Sequence, residues 1–114
     1  MAEVKKRPKV LDSITHHVQT GCGELDIRVG LLDDNPFEVF LHLGNQGGCG
    51  AAQTEAIGRA ISVGLRAGIP VSEYVDHLSN IHCNCPTFED GVQMRSCPDA
   101  ISQVLKNFVK EEEA

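Results

Sequence analysis

Apolar and polar residues alternate along the first third of the chain and then recur at three- and four-residue spacing, so strands precede helices. Asp12 to Thr20 carries the β-formers Ile14, Thr15 and Val18 and runs into Gly21-Cys22-Gly23, whose glycines permit a tight turn. Leu25, Ile27 and Val29 then alternate with Glu24, Asp26 and Arg28, the period-two pattern of a strand with one buried face. Asp33-Asp34-Asn35-Pro36 supplies turn chemistry, after which Phe37, Val39, Leu41 and Leu43 alternate with Glu38, Phe40 and His42. Three strands joined by short turns predict an antiparallel meander.

The period changes after Gly44-Asn45-Gln46-Gly47-Gly48-Cys49-Gly50, a segment too rich in glycine to hold a strand. Ala52, Ala56, Ile57, Ala60, Ile61 and Gly64 follow helical spacing from Ala51 to Ala67, with Gln53, Glu55 and Arg59 facing away. Gly68-Ile69-Pro70 ends that helix, and Ser72 is placed to cap a shorter one through about Ser79, with Val75 and Leu78 inward. The stretch from Ile81 to Arg95 lacks periodicity and reads as a cysteine-containing loop. Ser96 then stands at the N-cap of a last helix, with Pro98 in its first turn and Asp99 as the partner of a variant capping box. Ala100, Ile101, Val104, Leu105 and Phe108 form that helix's apolar stripe. The expected class is α+β: a three-stranded antiparallel meander followed by a long helix, a short helix, the loop and a C-terminal helix.

Length and charge refine this outline. A chain of 114 residues with 41% hydrophobic content suits one domain, placed at residues 10–110 between a basic, solvated N-terminal arm (1–9) and an acidic tail (111–114). The formal charge of −6 repels phosphate backbones, so nucleic-acid binding is not expected. The apolar runs fall far short of the roughly 20 residues that span a bilayer, and the N-terminus has no apolar core of a secretory signal. A cytoplasmic protein that does not engage membranes is expected.

Five cysteines form an odd count for a reducing compartment, which disfavours complete disulfide pairing. Cys22 lies between two glycines, Cys49 just ahead of the long helix and Cys97 in the first turn of the last one. Free amides and the partial positive charge of a helix start suit an anionic ligand sulfur at such places. Cys83 and Cys85 lie in the loop. The sharp reading is one tetrahedral zinc site drawn from Cys22, Cys49, Cys97 and one or both of Cys83 and Cys85, with His82 as a further reserve ligand. Spacing alone leaves two other readings open: small buried hydrophobes at tight packing positions, or a Cys83–Cys85 dithiol. The glycine-rich loop offers a second kind of site, an anion or nucleotide nest of Gly47, Gly48 and Gly50 assisted by Arg59 or Arg66, although it lacks the Lys-Ser/Thr ending of a P-loop. His16, His17, His42 and His77 read as ordinary surface or half-buried residues. Neither H-E-x-x-H nor G-x-S-x-G occurs, so an independent enzyme would need its active site assembled by oligomerisation.

Seven segments in order, among them Thr20-Gly21-Cys22-Gly23, Pro36-Phe37-Glu38-Val39-Phe40, Gly47-Gly48-Cys49, Ile81-His82-Cys83 and Ser96-Cys97-Pro98-Asp99, resemble the TSCPD domain. The last departs from the name-giving motif in having Arg95 where threonine usually stands. That domain usually follows the catalytic barrel of adenosylcobalamin (vitamin B12)-dependent ribonucleotide reductases and also occurs as short separate proteins. The resemblance implies a standalone copy without the radical-bearing and cofactor-binding residues of the barrel. It also implies a role as accessory or regulatory module of ribonucleotide reductase or another protein partner. The family pattern places cysteines at Cys22, Cys49, Cys83 and Cys97, with Cys85 an extra, which implies the four-thiolate zinc site. The alternative is a module that binds a nucleotide or other anion through loop 44–50. Phe40, on the opposite strand face from Phe37 and Val39, raises a second packed face or a homodimer.

Overall fold

The computed structural model describes residues 3–21, 23–44, 49–81, 87–89, 91–94 and 96–109; for residues 49, 87–89 and 92–94 it describes the backbone alone. Strands β1 (Asp12–Thr20), β2 (Gly23–Leu32) and β3 (Asn35–Leu43) form an antiparallel sheet in chain order. Helices α1 (Cys49–Arg66) and α2 (Val71–Leu78) follow, then a short hairpin of β4 (Thr87–Glu89) and β5 (Val92–Met94), and α3 (Cys97–Leu105) running into a 3-10 turn. The expected meander and three helices are present. The hairpin falls in the stretch that reads as loop, because three-residue strands are too short to show a period.

The link between β2 and β3 shows how local chemistry sets register. Asp33 and Asp34 both adopt positive φ, 52° and 64°, and Leu32 pairs with Asn35. This is the two-residue hairpin whose twist matches that of its strands, and aspartate is among the residues that tolerate it. The turn therefore occupies two residues, and Asn35 and Pro36 belong to β3. The resulting register places Val18, Leu25, Ile27, Val29, Val39 and Leu43 on one face, where they are buried with Ile61 and Leu65 of α1, Val71 and Val75 of α2 and the stripe Ala100, Ile101, Val104 and Leu105 of α3.

Helix α1 covers the outer edge of β3. Ser62 is buried; its hydroxyl accepts a hydrogen bond from the Val39 N–H (2.8 Å) and donates one to the Val39 carbonyl (3.0 Å). One turn earlier, a Cβ on Gly58 would lie 3.3 Å from both Leu41 Cγ and the Val39 carbonyl oxygen, so glycine lets the helix backbone approach the strand backbone. The buried positions are accordingly Thr54, Gly58, Ile61, Ser62, Gly64 and Leu65, with Ile57 half-buried; Ile61 and Gly64 lie inward as the helical spacing predicts. The alanines Ala52, Ala56 and Ala60, which share the helical period with Ile57 and Ile61, are exposed. Sequence patterning ranks alanine above serine as an inward residue; here an edge strand's backbone reverses that order.

Two further differences concern polar residues. Glu38 alternates like an outward residue yet is 3% exposed, because Arg7 Nε lies 2.9 Å from both of its carboxylate oxygens. Gly30, its cross-strand partner, makes the room: a Cβ there would come within 2.8 Å of Glu38 Cγ. The arm is therefore anchored at Arg7, and Lys5 N–H donates to the Arg66 carbonyl at the end of α1 (3.1 Å). Helix α2 starts at Val71 with Pro70 at its N-cap, whose fixed φ of −63° enters the helix without a side-chain cap, so Ser72 lies inside the first turn. Ser96 does cap α3, accepting from Asp99 N–H at 3.1 Å, and Asp99 accepts in turn from Asn80 N–H at 2.9 Å, joining the end of α2 to the start of α3.

Replacing Ser62 by alanine leaves both Val39 backbone groups without their partner under a helix. Urea denaturation should show a loss of about 1–3 kcal/mol, and Gly58→Val should also destabilise by forcing α1 off the edge. An Ser62→Ala protein as stable as the parent would mean that these bonds contribute nothing.

Candidate functional site

Four of the five cysteines meet the described residues only in part or through their chain neighbours. Cys97 is the first residue of α3; its side chain is half-buried, with Sγ 3.7 Å from Thr20 Oγ1. Cys49 is the first residue of α1, and its side chain lies outside the described residues. Cys22, Cys83, Cys85, His82, Gly47 and Gly48 also lie outside them.

The neighbours of these cysteines gather at one end of the sheet. Thr20 closes β1 two residues before Cys22, and its hydroxyl donates to the Gly23 carbonyl across the turn (2.7 Å). The same hydroxyl faces Cys97 Sγ. Ser96, adjacent to Cys97, donates to the carbonyl of Ile81, two residues before Cys83 (2.5 Å). Gly44, at the exit of β3 and five residues before Cys49, donates its N–H to the Glu24 carbonyl at the entry of β2 (2.8 Å). Segments that carry Cys22, Cys83 and Cys97 are thus pinned together by side-chain contacts from residues no more than two positions away.

The structure separates the two parts of the expected anion nest. Gly50 is the second residue of α1, while Arg59 stands nine residues further, about 13 Å along the axis at 1.5 Å per residue. Arg59 is exposed and pairs with Glu55 at 2.8 Å, one turn back on the same helix.

One constellation escapes the sequence reading. His17 and Asp26 are direct cross-strand partners on the sheet face turned away from the helices, with His17 Nδ1 2.6 Å from Asp26 Oδ1 and 3.4 Å from Glu24 Oε1. Among the described residues this is the group of metal-ligating types whose donor atoms lie within 4.8 Å of one another. Its signal was the pairing register, legible once a two-residue Gly21-Cys22 turn is assumed, since that sets His17 opposite Asp26. The hydrogen bond to Asp26 is the largest cause that raises the His17 imidazole above its ordinary value; the Asp26 charge and, more weakly, Glu24 add to it, against a small opposing effect of burial. Phe40 lies on the same face, 40% exposed, with the guanidinium of Arg28 4.6 Å and that of Arg7 5.7 Å from its ring centroid. Cation–π contacts within the chain cover this ring in part.

A model of the TSCPD domain matches residues 2–109. Similar curated proteins include the vitamin B12-dependent ribonucleotide reductases of Streptomyces clavuligerus, Streptantibioticus cattleyicolor and Streptomyces coelicolor, each 28% identical over 105 residues. The aligned region is 91% of this chain but 11%, 18% and 11% of those proteins, so the chain spans between a tenth and a fifth of the relatives it matches. No solved structure matches the chain. Among the described residues no helix is long and apolar enough to cross a membrane.

Because His17 binds its proton more tightly in the folded protein, the pair's stabilisation is complete below the unfolded value of about 6.5 and is lost as pH rises through the folded value. Imidazole NMR titration should place the His17 midpoint above the ordinary histidine value of about 6.5, and Asp26→Asn should bring it down. A midpoint indifferent to Asp26→Asn would break the assignment.

Proposed function

Since this chain belongs to the TSCPD domain family, we propose that it serves as an accessory or regulatory module beside a vitamin B12-dependent ribonucleotide reductase, its fold clamped by a zinc ion on Cys22, Cys49, Cys83 and Cys97. The observation that carries the zinc reading is the convergence of flanking residues: Thr20 on Cys97 Sγ, and Ser96 on Ile81. Thiolates offered from a β-turn, a helix start and a loop suit the tetrahedral geometry of a closed structural site. The ion would supply cross-linking of the four segments that carry these cysteines. The chain's own residues already bring two of them together, because Ser96 fixes the start of α3 through Asp99 N–H while holding the Ile81 carbonyl. Cys85 and His82 stand near Cys83 in sequence as reserve ligands.

The accessory role rests on the relatives. They are named as reductases, and this chain matches only a small share of each. A domain of this size with a closed metal site fits docking and conformational control better than independent turnover.

Elemental analysis of protein purified without chelator should find about one zinc per chain. Cys22→Ser, Cys49→Ser, Cys83→Ser and Cys97→Ser should each lose the metal and the cooperative unfolding transition, while Cys85→Ser should keep both. Folded, fully reduced protein without metal would overturn the zinc site. For the accessory role, sedimentation of the chain with a purified B12-dependent reductase should show a complex at micromolar concentration, and its absence would remove that half of the proposal.

A further inference from the structure

A cavity of about 510 Å³ opens between α1 and the covered edge of β3, within the size range of small-molecule sites. Its walls carry Arg7, Arg59 and Arg66 together with the apolar surfaces of Phe40, Leu41 and Val63. The charges around it are unequal in strength. Arg7 and the buried Glu38 cancel each other. Arg59 is held by Glu55 only through an exposed i,i+4 pair, a weak interaction that a stronger anion readily displaces. Arg66 makes one long bond of 3.4 Å to the Ser62 carbonyl and has no carboxylate partner among the described residues.

The surroundings add to this excess. The arm that crosses the end of α1 brings Lys5, Lys6 and Lys9, none of them ion-paired among the described residues. Leaving Arg7 to Glu38, these and Arg59 and Arg66 make five of the chain's ten basic residues, in a molecule whose formal charge is −6. A local positive field on an acidic domain selects an anion by steering it to this groove.

The spacing narrows the class. Arg59 and Arg66 are seven residues apart, nearly two turns, so they project from one side of α1 about 10 Å apart along its axis. Flexible guanidinium groups at that separation close on a linear chain of phosphates rather than on one carboxylate. We propose that this groove binds an oligophosphate, with Arg59 and Arg66 holding successive phosphates and the neutral Arg7–Glu38 pair forming the opposite wall. The site lies along α1 beyond the cysteine-bearing helix start and does not depend on the zinc reading.

The test is an amide NMR titration of the full chain, in whatever metal state it folds, with inorganic tripolyphosphate and separately with adenosine triphosphate at about 0.15 M salt. Shifts should map to residues 58–66 and 38–41, saturating below about 1 mM. Arg66→Ala and Arg59→Ala should each weaken binding by about tenfold or more while circular dichroism stays unchanged. Equal affinity for the two probes would identify a free oligophosphate as the source. Tighter binding of the nucleotide would identify a nucleoside triphosphate. Either result supports the proposal. No saturable shifts in that region, affinity unaffected by both substitutions, or binding of a glutamate-rich peptide but not of tripolyphosphate would overturn it. If Arg66→Ala alters the fold, Arg66→Lys, which keeps the charge and loses the planar fork, must weaken binding instead.

Discussion

A single serine hydroxyl meets the backbone of an edge strand, and much of the molecule follows from that meeting. β3 has β2 on one side and would expose its remaining N–H and C=O groups on the other, an arrangement that invites pairing with foreign strands. Ser62 satisfies both groups of Val39, and Gly58 lets the helix sit close enough for it to do so. With α1 fixed on the edge, its start lies toward the end of the sheet where Gly44 leaves β3, and its last residue lies where Lys5 crosses. The two regions with chemical promise are therefore opposite parts of one helix: a cysteine at its first residue and guanidinium groups along its second half.

Ser96 plays the corresponding part for α3. Its hydroxyl accepts from Asp99 and donates to Ile81, so one small side chain sets the helix start and holds the segment leading to Cys83. Cys97 follows it directly and reaches Thr20 at the close of β1. A sequence motif centred on serine, cysteine, proline and aspartate thus reads as a junction: a cap, a sulfur, a ring that tolerates the first turn and a carboxylate that ties in α2 through Asn80.

The strands were legible because their burial is one-sided and their period strict; Leu25, Ile27, Val29, Val39 and Leu43 sit where alternation puts them. Three things were not. The inward face of α1 mixes Thr54, Gly58 and Ser62 with apolar residues, and polar side chains that serve a neighbouring backbone carry no hydrophobic signal. Glu38 looks like a solvent residue because its partner, Arg7, is 31 positions away. The His17–Asp26 pair depends on register, which a one-residue change in the turn would undo. The cysteine set stood out by family resemblance rather than by spacing, since cysteines spread over four separate segments leave no compact motif.

Arg7 spends its guanidinium on a carboxylate buried beneath it, and Lys5 lends its amide to the end of α1. A segment that composition marks as a loose basic lead-in is thereby fastened at two points before the first strand begins. Wherever a longer polypeptide carries this domain behind another, that fastening removes residues from the free tether and fixes the direction in which the connecting chain departs. The junction would then transmit torque and orientation, where an unanchored basic stretch would transmit only distance.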